Sequence, residues 1–518
     1  MDDINTARDA ERAGLAGKVR SGLAWSLLNT ILGKAGTLVV GIALARILDP
    51  ADFGVFAVAL VALFAVLAVN ELGVSLALVR WPGDPRTIAP TVTTLSIASS
   101  LVLYAACFLA APSFSHALNA PEATGVVRLL ALAVVIDGIT AAPAQLINRE
   151  FAQQKRLVVD LSNLVLTSGI TIICAVAGLG PWSLAIGRLV GNGITAGMLC
   201  RFAAYWPRPG FDRRQARELL AFGLPLAAAS LLYVGMLYVD NVVVGALLGP
   251  VALGFYVQAF NLSSFPVNAF STVVRRVSLA AFSRLVTDEE GRHDAVRRSV
   301  ALLAAATLPV AGLLGLLAVP LITTLYGQKW APAAAALAFL AVVGAARVMN
   351  ELAYDYLVAC GHSRVTMYLQ GLWVAGLIPA LIIGTHLGGI RGAAAGHAIV
   401  SAGIVMPAFG YAVVRTGVPV RVMLSALGRP LAGTALLVAA VLAVRAATDP
   451  GWLQLVVGGL AGVAVYVPVV APLRRLARAT VAPPAPSGLP GPPTPPAHSR
   501  PPGGRHRRTA HPIGAPRS

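Results

Sequence analysis

Leu48-Asp49-Pro50-Ala51-Asp52-Phe53-Gly54-Val55-Phe56 returns later in the chain as Leu248-Gly249-Pro250-Val251-Ala252-Leu253-Gly254-Phe255-Tyr256, with leucine, proline, glycine and an aromatic ring at the same spacing. Each stretch stands between two long apolar runs. Proline ends one helix or begins the next, and glycine lets two backbones come close, so each stretch reads as a tight helix–turn–helix. A fainter echo sets Pro121 and Pro332 ahead of the fourth apolar run of each set. Chance recurrence of common residues in an apolar chain is the competing explanation. The shared place of the two stretches, after the first run of each set, favours duplication.

Composition says what the runs are. Of 518 residues, 57% are hydrophobic and 12% charged, about half the charged fraction of a soluble protein. Too few polar residues remain to surface the domains that a soluble chain of this length would form, which excludes a soluble enzyme. The net charge of +18 then reports basic loops on the cytoplasmic side and no nucleic-acid partner. Runs near the 20 apolar residues or so that a spanning helix needs cover 22–46, 54–79, 87–111, 126–147, 157–179, 181–202, 219–248, 251–274, 300–325, 333–360, 365–387, 392–414, 431–447 and 453–470. With the N-terminus inside, basic residues fall mainly in alternate loops: Arg80 and Arg86, then Arg149 to Arg156, Arg208 to Arg217, Arg275 to Arg298, Arg364, and Arg415 to Arg429. That alternation predicts an even number of spans and two cytoplasmic termini.

The expected organisation is a cytoplasmic leader over 1–21, a first lobe over 22–205, an inter-lobe loop over 206–218 and a second lobe over 219–415. Trailing helices over 416–472 and a basic tail over 473–518 complete it. The leader mixes acids and bases and lacks the apolar core of a signal peptide. The tail, with APPAPSGLPGPPTPPAHSRPPGG at its centre, cannot bury enough surface to fold. Because each lobe holds an even number of spans, the lobes are parallel repeats about an axis along the membrane normal, with a cleft between them. Cys107, Cys174, Cys200 and Cys360 lie in or beside apolar runs without metal-ligand spacing and read as small buried residues.

Seven pieces together resemble the Wzx-type lipid-linked oligosaccharide flippases of the MOP (multidrug/oligosaccharide-lipid/polysaccharide) exporter superfamily. They are ALARILDPADFGVFAVAL (43–60), LINREFAQQKRL (146–157), GLGPWSLAIGRLVGN (178–192), VDNVVVGALLGPVALGFYVQAFNLSSFPVNAFS (239–271), LAAFSRLVTDEEGR (279–292), LYGQKWAPAAAAL (325–337) and GGIRGAAAGHAIVS (388–401). The resemblance implies an all-α membrane protein of about 14 helices, two six-helix lobes around a central cleft of the MATE-like kind plus a trailing pair. It also implies movement of a polyprenyl-diphosphate-linked oligosaccharide across the plasma membrane for surface polysaccharide biosynthesis. The expected partners are that substrate, membrane lipids and polysaccharide polymerase machinery, with the chain itself monomeric.

An ionisable residue deep in a span costs about 3 kcal/mol and needs a reason. Lys34, Arg188 and Arg347 are the candidate cations for an anionic headgroup, which fixed positive charge would draw through a low-dielectric cleft. Glu71, Asp137, Asp240 and Glu351 would balance the empty cavity or titrate during coupling. The structural reading stands beside this: Arg347 and Glu351 are one helical turn apart and neutralise each other without a ligand, and Asp240 hydrogen-bonds near the water interface. Asn261, Ser263 and Ser264 suit either sugar hydroxyls or helix packing.

No catalytic residues, metal ligands or cofactors are expected. Gly33-Lys34 lacks the Ser/Thr and the first glycine of a phosphate-binding loop, and neither a zinc-protease helix nor a nucleophile elbow is present. A multidrug or cation antiporter of the same superfamily is the alternative, and it would favour an acidic, aromatic cleft.

Overall fold

The computed structural model describes residues 33–70, 78, 84–149, 153–284 and 289–473, and in it the apolar runs are helices. The first, α1, covers 33–47 of the described chain. It is followed by α2 (Pro50–Asn70), α3 (Ala89–Ala117), α4 (Ala123–Arg149), α5 (Gln153–Val176) and α6 (Pro181–Phe202). The second half contains α7 (Arg213–Arg284), α8 (Glu289–Leu316), α9 (Ala318–Tyr326), α10 (Ala333–Ala359) and α11 (Ser363–Ala398), then α12 (Met406–Arg415), α13 (Val420–Ala447) and α14 (Trp452–Val470). Ten helices among the described residues are long and apolar enough to cross a membrane, which makes the chain a multi-pass membrane protein.

At two expected turns the chain passes from one helix to the next through a kink, and each pair of helices is numbered as one here. In α7 the backbone leaves helical geometry at Gly249, with φ of 77°, a left-handed value that costs glycine little and a β-branched residue much. In α11 the break falls at Gly388 and Gly389. Between α11 and α12, residues Ile399–Val405 form a π-helical turn. Pro407 lacks the N–H that would bond back to the Gly403 carbonyl, so the regular ladder is interrupted there. The cysteines are less sheltered than the sequence suggests: Cys200 is buried, but Cys107, Cys174 and Cys360 are half-buried, and all four are free.

The two related stretches pack against each other. A Cβ on Gly54 would run into the carbonyl oxygen of Pro250, and one on Gly254 would run into that of Pro50. The contact is reciprocal, as expected where two like turns meet about a pseudo-two-fold axis. Around it, Arg46 donates to the Leu325 and Thr324 carbonyl oxygens at 2.9 and 2.5 Å. Lys329 donates to the Leu48 carbonyl at 2.7 Å and to the Asp49 carboxylate at 3.1 Å.

Trp330 closes this junction. It is fully buried, donates from Nε1 to the Ala45 carbonyl at 2.7 Å, and meets Phe53, Phe255 and Tyr326 edge-on at 5.2, 6.0 and 6.1 Å. Removing a buried ring of this size costs about 3–5 kcal/mol. Trp330→Ala is therefore expected to lower thermal stability sharply in detergent. Trp330→Phe, which keeps a ring and loses the N–H, should cost about 0.5–1.5 kcal/mol from the hydrogen bond. Equal melting of the two variants would show that packing at this position is unimportant.

Candidate functional site: a cavity in the second half

Three helices of the second half each turn one face to a common cavity of about 710 Å³. From α7 come Ala229, Tyr233, Met236, Leu237 and Asp240, spaced so that they share one side of a helix. Val343, Arg347, Asn350, Glu351 and Tyr354 form the matching side of α10, and Thr366, Gln370, Trp373 and Leu377 that of α11. His397 and Phe409 complete the far wall. The volume lies within the range of about 300–1,000 Å³ typical of small-ligand sites.

Arg347 and Glu351 both face the cavity and pair with each other, Nε to Oε1 at 3.6 Å, with both side chains near 30% exposed. Asp240 departs from the expectation of a residue near water: it is 4% exposed. Its Oδ1 accepts from the Asn241 amide at 2.8 Å and its Oδ2 from the Tyr256 hydroxyl at 3.2 Å. His397 Nδ1 stands 3.5 Å from that hydroxyl and 4.0 Å from Asp240 Oδ2. The bend at Gly249 brings Tyr256 back beside Asp240, and the π-helical turn follows directly on His397. Asn350 on α10 reaches the Ser401 carbonyl within that turn at 3.5 Å.

The other candidate residues lie elsewhere. Arg188 on α6 sets its guanidinium carbon 5.4 Å above the Phe64 ring, and Phe64 stacks on Tyr238 of α7 at 5.0 Å and 12°. Among the described residues Arg188 makes no ion pair or hydrogen bond; its contact is the ring column that joins the two halves. Asp137 accepts from Asn70 at 3.0 Å, and Asn70 accepts from Ser99 at 3.2 Å, a polar knot within the first half. Lys34 is half-buried on α1 and does not line the cavity. Glu71 lies outside the described residues. Ser263 is buried and donates to the Phe260 carbonyl of its own helix, which is a packing role, and Asn261 is exposed. No group of three or more metal-ligating side chains occurs among the described residues.

Sequence reasoning did not single out His397, Tyr256, Gln370 or Trp373 as site residues. Trp373 reads as an ordinary apolar residue and Tyr256 as the aromatic residue of the repeat, whereas His397 and Gln370 are isolated polar residues inside apolar runs and could have been flagged by the same cost argument applied to the charges.

The lipopolysaccharide biosynthesis protein WzxC of Escherichia coli K12 is 25% identical over 74% of this chain and 78% of its own length. The succinoglycan biosynthesis transport protein ExoT of Rhizobium meliloti is 26% identical over 68% of this chain and 71% of its own. Among solved structures, the inward closed conformation of the lipid II flippase MurJ superposes with a TM-score of 0.72 at 13% identity, over 88% of this chain and all of that one. An inward-facing MATE multidrug transporter of the MOP superfamily gives 0.58 at 18% identity, over 76% and 98%. At these identities the structural likeness establishes the fold. A family model described as polysaccharide biosynthesis protein matches residues 43–335, more than half of the sequence, and the chain belongs to that family.

Proposed function

We propose that the protein is a transporter, not an enzyme, that flips a polyprenyl-diphosphate-linked oligosaccharide across the plasma membrane by alternating access, for surface polysaccharide biosynthesis. The observation that carries this reading is a ligand-sized cavity in a MurJ-like fold, in a chain of the polysaccharide biosynthesis family. In this reading each half of α7 and of α11–α12 counts as a span, so that two six-helix lobes would be followed by a trailing pair. The reciprocal Gly54–Gly254 contact is then the junction at which the lobes meet on the outer side. Both termini lie in the cytoplasm in this arrangement, and the polymerase machinery acts on the product at the outer leaflet. Arg188 is the favoured contact for the diphosphate, because its charge has no carboxylate to satisfy it among the described residues, whereas Arg347 is already paired.

The test is leaflet exchange of a defined polyprenyl-diphosphate sugar in vesicles containing the purified full-length chain. Protein-dependent exposure of the sugar to an impermeant oxidant is expected, and exposure no faster than in protein-free vesicles would reject the proposal. One observation favours the cation-antiporter reading: two carboxylates and several aromatic rings face the cavity. Proton-driven uptake of tetraphenylphosphonium by the same vesicles, without lipid exchange, would select it.

A further inference from the structure

Three side chains that line the second-half cavity each hold a polar atom that is shut off from solvent and left without a partner, so that a ligand reaches it when the side chain turns toward the cavity. Asn350 Oδ1, Gln370 Oε1 and Trp373 Nε1 are all buried without a hydrogen-bond partner, and all three residues line this one cavity. Asn350 is 3% exposed. An unpaired buried polar atom costs about 1–3 kcal/mol, so three along one wall are a cost that the fold does not recover from its own groups. They comprise one donor and two acceptors, one on α10 and two on α11. A hydroxyl donates and accepts together, so a ligand dense in hydroxyls suits both kinds. The indole of Trp373 and the rings of Tyr233, Tyr354 and Phe260 add flat apolar faces, against which the C–H faces of a sugar ring pack.

Charge narrows the class. Two carboxylates, Asp240 and Glu351, face the cavity against one guanidinium, which Glu351 engages, and one imidazole, His397, which stands 4.0 Å from Asp240. An incoming carboxylate would find no unengaged cation in the lining and would stand near Asp240 in a poorly screened region, where like charges repel most.

We infer that this cavity is the glycan-reading site of the transporter and that it selects uncharged sugars over acidic ones, with Asn350, Gln370 and Trp373 as its recognising side chains. The inference rests on the proposed flippase reading for its cargo. It adds a division of labour: the second half reads the sugar, and the diphosphate is met on the Arg188 side.

The experiment titrates the full-length chain in detergent with cellotriose, trigalacturonate and inorganic diphosphate, following the part of the intrinsic fluorescence that Trp373→Phe removes. Cellotriose is expected to change that signal at concentrations about tenfold below those needed for trigalacturonate, and diphosphate to leave it unchanged. Glu351→Gln should narrow the gap between the two saccharides, which a merely structural role for Glu351 would not do. Gln370→Leu retains the reporting indole and should weaken cellotriose by about tenfold. Its elution as a single gel-filtration species separates lost recognition from lost folding. Equal or tighter binding of trigalacturonate, a Trp373 signal from diphosphate alone, or no signal from any probe overturns the inference. Vesicle exchange of the lipid-linked sugar with no saccharide preference would leave the flippase reading standing and this one refuted. Saccharide binding without lipid exchange would do the reverse.

Discussion

Gly54→Val is expected to cost more than about 3 kcal/mol, roughly a hundredfold in the ratio of folded to unfolded protein. The added atoms have nowhere to go. A Cβ at this position meets the carbonyl oxygen of Pro250, a backbone atom that no side-chain rotation moves aside. Gly254 faces Pro50 in the same way, so widening the gap at one site separates α2 from the second half of α7 at both. Gly54→Ala and Gly254→Ala should therefore each destabilise strongly, and the double variant by clearly less than the sum, because the first substitution has already parted the helices. Gly41→Ala is the control: nothing lies within 4 Å of its Cβ position, and the change should be neutral or slightly stabilising. Thermal unfolding of the five variants, read by gel filtration of the heated detergent extract, measures this. Additive losses, or a stable Gly54→Val, would mean that the two turns do not share one contact.

That contact was half legible in the sequence. The recurrence of proline and glycine at one spacing was visible, but nothing in a linear pattern says that two like turns touch. Helix ends were legible wherever punctuation is local: Pro181 opens α6 and Ala333 opens α10 where the sequence places them. They are hidden where basic residues stand within a helix. The helix expected from residue 431 begins at Val420, because Arg421 and Arg429 point outward and leave the apolar side of α13 intact. The segment from Arg275 to Arg298, expected as a helical connection along the surface, is helical over its described residues, and from Glu289 it runs without a break into the span expected from residue 300.

The site was less legible than the fold. Arg347, Glu351 and Asp240 were chosen by the cost of burying charge, and all three line the cavity. Their partners were not foreseeable, because Tyr256 reaches Asp240 through the bend at Gly249 and His397 arrives from another helix. The cost argument also could not tell a cation that pairs along its own helix from one that does not. Spacing could: Glu351 stands one helical turn from Arg347 and pairs with it, whereas no carboxylate stands three or four residues from Arg188, which meets an aromatic column.

Arg188→Gln is expected to raise stability or leave it unchanged while lowering lipid exchange by at least about tenfold. A half-buried guanidinium without a carboxylate partner among the described residues opposes folding, and an insertion cost of about 3 kcal/mol for a central arginine sets the scale. The ring of Phe64 at 5.4 Å returns only about 0.5–2 kcal/mol of that. A residue kept for stability would show the opposite sign when neutralised, so the two readouts together identify its role. Arg188→Lys separates charge from shape. If an ammonium is enough to draw a diphosphate across, exchange survives; if the planar group must hold the ring column and the phosphate together, exchange falls with Arg188→Gln. Phe64→Leu, which removes the platform and keeps the cation, should then resemble Arg188→Lys. Both quantities come from the same purified protein: melting in detergent and leaflet exchange after reconstitution. Wild-type exchange in Arg188→Gln would place the diphosphate path elsewhere, and a large loss of stability would make Arg188 a structural cation.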